Sequence, residues 1–226
     1  MEIHFDEELK LLKQKLLRMA DTAQDMIGLA VKSLVQREAA MANEVLNIEE
    51  RVNRAEVEIE DEVLRLLARR QPAAGDLRLL MALLKINNDL ERVADQACNI
   101  AGTVMYLLQE PPLNTPLVDI PSMARLSQKM VKDSIEAFVN HDSALAKKVC
   151  EHDDEVDWIN NQTFRVLLTY MMENPRAITR AVDLILVSRS LERIADHATN
   201  ISEEVIFIEE GRNVKHHIHE ERIGGQ

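Results

Sequence analysis

One segment of this chain occurs twice. Residues 90–100 read LERVADQACNI and residues 191–201 read LERIADHATNI, so most of the eleven positions are identical. A repeat of this length indicates duplication of a whole structural unit. The repeat carries an apolar stripe and also a polar stripe of the form Glu-x-x-x-Asp-x-x-x-Asn. The apolar stripe constrains the fold, and the polar stripe needs an explanation of its own.

The composition favours long helices. Gly and Pro are scarce, six of each in 226 residues, and the chain is rich in Ala, Leu, Glu and Arg, which are good helix formers. Proline removes a helical donor and restricts the residue before it. Four of the six prolines lie in one short stretch between the two copies, at Pro111, Pro112, Pro116 and Pro121. We therefore predict a domain boundary there, with a first domain at residues 1–112 and a second at residues 113–226.

Hydrophobic periodicity predicts three helices in each half. The predicted ranges are 6–37, 41–70 and 75–109, then 121–140, 143–173 and 175–210. Asp76 or a neighbour is expected to cap the third helix, and Gly211 to end the sixth. The predicted fold class is all-α, with two tandem, duplicated three-helix bundles packed side by side.

The third helix of each half has the most regular apolar period. Its apolar residues follow alternating steps of three and four, which is the pattern of left-handed helix packing. In the first half these residues are Leu83, Ile86, Leu90, Val93, Ala97, Ile100, Val104 and Leu107. In the second half they are Leu184, Val187, Leu191, Ile194, Ala198, Ile201, Val205 and Ile208. We expect these two seams to be buried.

The charge balance limits the kinds of partner. The formal net charge is −12, which argues against nucleic acid, anionic lipid or free phosphate as a partner of the surface as a whole. No apolar run reaches the 18 or more residues of a membrane span, and the acidic N-terminus does not resemble a signal peptide. We expect a cytoplasmic protein that meets membranes only through protein partners. Cys98 and Cys150 are expected to be reduced thiols.

The polar stripe places carboxylates and amides on one helix face. Residues four apart lie on the same side of a helix, and the second helices of the two halves carry related residues at a shared offset. The first set is Glu49, Asn53, Glu91, Asp95 and Asn99, and the second set is Asp153, Asp157, Glu192, Asp196 and Asn200. In heptad terms Glu91 and Asp95 point away from the seam, so the carboxylates are expected on the outside of each bundle or on a face that meets a partner.

Two interpretations of these stripes remain open. In one, they are a solvated face on which Arg92 and Arg193 pair with Asp95 and Asp196. In the other, neighbouring carboxylates repel one another and bind a cation. Carboxylate and amide oxygens without Cys suit Mg, Ca, Mn, Fe or Zn. A ferritin-like di-iron centre is disfavoured, because no Glu-x-x-His pair occurs in the sequence.

Nothing in the sequence points to catalysis. Paired carboxylates can act as acid and base, but these are exposed and have no nucleophile or Gly-rich loop beside them. The sequence contains no GxGxxG, GxxxxGK[ST], GxSxG or HExxH motif. Catalysis therefore has weaker support than metal binding, and we assign no catalytic residues.

Several motifs together resemble one family. The segments LERVAD at residues 90–95 and LERIAD at 191–196 are similar to the duplicated E-R-[IV]-[AG]-D signature of the PhoU family. RQPAAGDLR at 70–78 resembles that family's entry to its third helix, and LTYMME at 168–173 resembles its second-half motif. GRNVKHH at 211–217 resembles its basic C-terminal ending. The resemblance covers nearly the whole chain.

The resemblance implies a function as well as a fold. PhoU-like proteins are cytoplasmic, non-enzymatic regulators that couple the phosphate ABC transporter to a sensor histidine kinase, so the resemblance implies that this chain is not an enzyme. They keep the phosphate-starvation response off and restrain phosphate uptake when phosphate is plentiful. The expected partners are therefore that kinase, the ATPase subunit of the transporter and a second copy of the chain, with no nucleic acid.

Metal binding is also implied by the resemblance. Some members carry iron or zinc clusters on these stripes, which makes the ten stripe residues candidate metal ligands. Asn53 stands where the second half has Asp157, so we expect weaker binding in the first half. A metal-storage protein using the same carboxylates is the alternative function. The tail, with His216, His217 and His219, is expected to be a surface segment.

Overall fold

The part of the chain that the structure describes consists mainly of six α-helices. A computed structural model describes residues 2–72, 74–113 and 119–211, and those ranges contain no strand. The helices are α1 (Glu2–Gln36), α2 (Ala39–Arg70), α3 (Ala74–Leu107), α4 (Ile120–Asn140), α5 (Ser143–Glu173) and α6 (Ile178–Glu210). The predicted fold class is confirmed.

Three helix ends carry recognisable capping residues. The Asp119 carboxylate accepts the backbone N–H of Ser122 at 2.9 Å at the start of α4. The Asp142 carboxylate accepts the backbone N–H of Leu145, also at 2.9 Å, at the start of α5. Gly211 ends α6 with φ +66°, a left-handed conformation that costs glycine little. These caps satisfy backbone groups that a helix leaves unpaired at its ends.

The structure corrects three details at helix starts. α1 begins at Glu2 and not near residue 6. α3 begins at Ala74, so Asp76 lies within its first turn and is not the capping residue. The negative charge of Asp76 there still interacts favourably with the helix dipole. A 3₁₀ turn at Pro175–Ala177 precedes α6, which therefore starts at Ile178. Pro116 and the tail prediction lie outside the described residues.

Two three-helix bundles pack side by side. Helices α1, α2 and α3 form the first, and α4, α5 and α6 form the second; they meet where α3 packs on α6 and α1 on α4. All eight seam residues of α3 are buried, as are the six from Val187 to Val205 in α6, while Leu184 and Ile208 are half-buried at its ends. The buried residues of all six helices form one continuous core. No helix of the described ranges has the length and apolar character needed to span a bilayer.

One polar contact fixes the register of each helix pair that carries a stripe. The Asn87 side-chain amide of α3 donates to the Glu56 backbone carbonyl of α2 at 3.0 Å. At the equivalent position of the second bundle, the Ser188 hydroxyl of α6 donates to Asn160 Oδ1 of α5 at 2.7 Å. Both Asn87 and Ser188 are buried. Because a buried polar group is costly without its partner, each contact resists sliding of the two helices.

Candidate functional site

The second bundle brings four predicted carboxylates together. Asp153 and Asp157 of α5 lie opposite Glu192 and Asp196 of α6, and we name these four residues the second acidic patch. Burial raises the pKa of Asp153 to about 6, and the negative charges of Asp157, Asp154 and Glu192 add to this. Burial likewise raises the pKa of Asp196 to about 6, with Asp153 and Asp157 as the next causes. Each carboxylate therefore disfavours ionisation of its neighbours.

Nearby cations neutralise this patch only in part. Burial raises the pKa of Glu192, the charges of Asp196 and Asp157 add to the shift, and Arg189 and Arg193 oppose it. His197 and Arg193 oppose the shift at Asp196. The raised pKa values show that repulsion and desolvation prevail. A cation or a basic protein group placed on the patch would relieve both costs.

The first acidic patch consists of Glu49, Asn53, Glu91 and Asp95, and its side chains are arranged differently. Burial raises the pKa of Glu91, and Asp95 contributes next. Arg92 lies between them, 3.5 Å from Glu91 and 3.6 Å from Asp95. The Glu91 side chain is only 16% exposed, so it lies half-buried between helices and not on the outer surface as expected. This patch therefore carries its own counter-ion.

Glu49 faces a thiol in the first patch. The Cys98 thiol donates to the Glu49 carboxylate. Burial raises the pKa of Cys98 to about 12, and the Glu49 charge is the next cause. Burial also raises the pKa of Cys150 to about 12 beside Glu203 and Asp153. Both cysteines are free thiols. Because the thiolate is the nucleophile and the metal ligand, such protonated thiols are unreactive.

The two stripe asparagines lie at the edge of the sites. The Asn99 amide donates to Gln96 at 3.4 Å. The Asn200 amide donates across the bundle interface to Asp89 Oδ1 at 3.2 Å. Neither amide nitrogen is directed to a carboxylate of its own patch. Metal binding by Asn99 and Asn200 would use their side-chain oxygen atoms, and it stays a prediction.

The carboxylate oxygens of the second acidic patch are of the kind that a hard cation prefers. The placement of their side chains supports such a site less well. The second acidic patch offers carboxylate oxygens alone, which Mg, Ca and Mn prefer, and Fe and Zn accept. Within residues 2–72, 74–113 and 119–211, no three His, Cys, Asp or Glu side chains lie close enough to hold one ion. Metal binding at the second acidic patch therefore stays a prediction.

Sequence reasoning missed a polar network between the bundles. Asp89 of α3 is buried, and its Oδ1 accepts His197 Nδ1 at 2.9 Å as well as the Asn200 amide. Lys85 Nζ lies 3.0 Å from both carboxylate oxygens of Glu204, which is also buried. These partners are more than 100 residues apart in sequence. Asp89 also lies off the repeated stripe, since its counterpart is Ser190, and no local signal marks it.

Comparison with known proteins agrees with this architecture. The family model described as the PhoU domain matches residues 16–104 and again residues 120–205. The chain is 44% identical over 215 residues to a phosphate-specific transport system accessory protein PhoU homolog of Aquifex aeolicus, covering 95% of this chain and 97% of the relative. It is 39% identical over 212 residues to the homolog of Pseudomonas aeruginosa, covering 94% and 88%.

Solved structures show the same fold. The crystal structure of PhoU from Pseudomonas aeruginosa superposes with a TM-score of 0.90 at 39% identity, over 92% of this chain and all of that one. The phosphate transport system regulatory protein PhoU from Streptococcus pneumoniae gives a TM-score of 0.86 at 27% identity, over 93% and 99%. The duplicated domain, the full-length relatives and these structures agree, and the chain belongs to the PhoU family.

Proposed function

We propose that this protein is an accessory regulator of phosphate-specific transport. In this role it keeps the phosphate-starvation response off and restrains phosphate uptake when phosphate is plentiful. It acts as an adaptor between the ATPase subunit of the phosphate ABC transporter and a sensor histidine kinase, on the cytoplasmic side and as a homodimer. The names of its full-length relatives support the transport context.

The second acidic patch is the observation that carries the adaptor role. Its carboxylates are held on α5 and α6, where burial, followed by the charges of neighbouring carboxylates, raises the pKa of Asp153 and Asp196. A basic patch on the kinase or the ATPase would supply the missing charge. Such complementarity speeds association and selects partners more than it adds affinity.

Charge reversal on the second acidic patch tests this role. We expect Glu192→Lys with Asp196→Lys to keep the helical fold, because both side chains reach solvent, and to abolish binding of the purified protein to the kinase. The matched control is Glu38→Lys with Glu136→Lys, which makes the same charge change at exposed positions away from the patch. Unchanged kinase binding by the patch variant would rule out this docking face.

A metal-binding function is the second candidate. The mutual repulsion of Asp153 and Asp196 is the observation that favours it, because a bound cation would remove that repulsion. In this function the stripe carboxylates hold Fe, Zn or another divalent ion, either as part of the docking face or as a store.

Trp158 provides a direct test of metal binding. It is the only tryptophan of the chain, it is exposed, and it follows Asp157 of the second acidic patch. Terbium, an oxygen-seeking ion, emits strongly when a nearby tryptophan is excited, so we expect sensitised emission that Asp157→Asn with Asp196→Asn removes. Asn53→Ala with Asp95→Asn is the control and should leave the emission intact. The metal function fails if the intact protein gives no emission and takes up no iron or zinc.

A further inference from the structure

An apolar surface continues directly from the second acidic patch. Three residues of α5 and three of α6 are each spaced by four, so each set lies on one face of its helix. We name them the apolar patch: Phe164, Leu168, Met172, Ile178, Val182 and Leu186. Their exposed fractions run from 41% for Val182 to 79% for Met172. Six exposed apolar side chains in one contiguous patch indicate an interaction site.

The register of α5 and α6 makes the apolar patch one surface. The helices are antiparallel and joined by the turn at Pro175–Ala177, and the contact between Ser188 and Asn160 sets their alignment. On one side of this contact, Asp153 and Asp157 face Asp196 and Glu192. On the other side, the same alignment places Phe164 near Leu186, Leu168 near Val182 and Met172 near Ile178. The hairpin thus presents an acidic half and an apolar half on one face.

The first bundle lacks this combination. At the positions equivalent to the apolar patch it carries Glu60, Leu64, Ala68, Leu77, Met81 and Lys85. Two charged residues and an alanine therefore replace three of the six apolar side chains. The first acidic patch also has Asn53 where the second has Asp157. Although Glu56 of α2 adds a carboxylate beside Glu91 and Asp95, Arg92 lies within 3.6 Å of both Glu91 and Asp95 as a counter-ion. The duplicated halves have the same fold, so the difference does not come from the needs of packing.

A second copy of the chain does not complement this face. The acidic half lies about 16 Å along α5 from the centre of the apolar half, because eleven residues separate Asp157 from Leu168 at about 1.5 Å each. If two hairpins met with their helices in the same direction, their acidic halves would face each other and repel. If they met in opposite directions, both acidic halves would extend past the partner and remain uncovered. A complementary occupant needs an apolar part and a basic part.

We propose that the hairpin of α5 and α6 docks a helical segment of a partner protein, whose apolar stripe covers the apolar patch and whose basic end lies on the second acidic patch. This inference rests on the docking role proposed for that patch and extends it. Amphipathic helices bind apolar surfaces through their own apolar residues, which are spaced by three and four. The apolar half supplies the buried anchor contacts, and the acidic half sets the direction of the bound helix.

Site-specific photocrosslinking in cells tests the proposal. A benzoylphenylalanine is placed at position 168 of the full chain, expressed in its own host without the native copy, and the crosslinked peptide is sequenced. We expect a segment of another protein with apolar residues at helical spacing followed by Lys or Arg. Position 64, the exposed equivalent in the first bundle, serves as the control and should not crosslink that segment.

Two pairs of variants show which contacts hold the segment. With the crosslinker at position 168, Ile178→Gln with Val182→Gln should lower the yield at least about tenfold, since it removes central apolar contacts. The equivalent change in the first bundle, Leu77→Gln with Met81→Gln, should not. Asp157→Asn with Glu192→Gln should lower the yield and its dependence on salt. Circular dichroism confirms that each variant is folded.

Three results would overturn the proposal. They are a crosslink to a second copy of the chain, a crosslinked segment without basic residues, and an equal yield in the patch and control variants. Failure here remains distinct from failure of the proposed function. If Glu192→Lys with Asp196→Lys loses repression while Ile178→Gln with Val182→Gln represses normally, the acidic docking role stands and its apolar extension is wrong.

Discussion

At the scale of single residues, position along the heptad decides what each side chain does. Leu191 of the α6 seam is fully buried, whereas the next residue, Glu192, reaches the second acidic patch. A one-residue step turns a side chain by about 100°, from the core to the helix pair's outer groove. The same helix therefore carries the packing and the candidate site, and substitutions should separate the two.

Leu191→Ala tests the packing side. Removal of a fully buried leucine side chain leaves a cavity, and we expect a loss of about 2–5 kcal/mol in the free energy of unfolding. Leu186→Ala on the same helix is the control, because Leu186 is 47% exposed and should cost less than about 1 kcal/mol. Urea denaturation measures both. A loss below about 1 kcal/mol at Leu191 would contradict the seam.

The pKa values of the second acidic patch predict how stability depends on pH. Asp153 and Asp196 have folded-state pKa values of about 6, above their ordinary 3.8. The folded state therefore binds more protons than the unfolded state between these values. The stabilisation is complete below pH 3.8 and is lost as pH rises through about 6.

Neutralising both groups should remove this dependence. We expect Asp153→Asn with Asp196→Asn to raise the free energy of unfolding at pH 7 by about 1–2 kcal/mol, after allowance for solvent screening. The variant should also be less sensitive to pH between 4 and 6. Urea denaturation at several pH values measures this, with Glu38→Gln and Glu136→Gln as a charge-matched control. An unchanged pH profile in the double variant would show that folding does not raise the pKa values of the two carboxylates.

At the scale of helices, periodicity predicted most of the structure, because apolar spacing and Pro or Gly breaks are local signals. The ends of α2, α4 and α5 follow the predicted ranges within two residues. The 3₁₀ turn before α6 was missed, since a proline shows where a helix is interrupted but not which turn follows. The pairing of the acidic stripes also followed from spacing. The half-buried position of Glu91 did not, because burial depends on how closely α2 approaches α3.

The start of α5 offers a test at this scale. The Asp142 carboxylate accepts the Leu145 N–H at 2.9 Å. We expect Asp142→Ala to cost about 1 kcal/mol, because a backbone donor loses its partner. Asp142→Asn keeps an acceptor and should cost only a few tenths. Thermal unfolding followed by circular dichroism compares them, and equal losses would mean that the side chain does not cap the helix.

At the scale of the whole molecule, the two bundles share one core and a polar network. His197 and Asn200 both donate to Asp89, so the α3–α6 interface has a specific register as well as apolar contact. This network could not be predicted from sequence, because its members are distant in the chain and the second copy has Ser190 in place of Asp89. Sequence similarity between the two halves predicts the structural features that they share. The α3–α6 interface depends on Asp89, a position at which the halves differ.

Asp89→Ala measures the strength of this interface. It leaves the His197 and Asn200 donors without their buried acceptor, and we expect a loss of about 1–3 kcal/mol in the free energy of unfolding. Ser190→Ala is the control at the repeat-equivalent position, where we expect a loss below about 1 kcal/mol. Chemical denaturation monitored by Trp158 fluorescence reports on the second bundle directly. Equal effects at the two positions would remove the special role of Asp89.

The regulatory role is tested most directly in cells. The measurement is the activity of a phosphate-repressed reporter, such as alkaline phosphatase, in a strain that lacks every copy of this gene and grows with ample phosphate. The proposed function predicts strong activity that the intact gene silences and that the Glu192→Lys, Asp196→Lys variant does not. Normal repression in the deleted strain would contradict the regulatory role, and the metal-binding function would then become the leading explanation of the acidic patches.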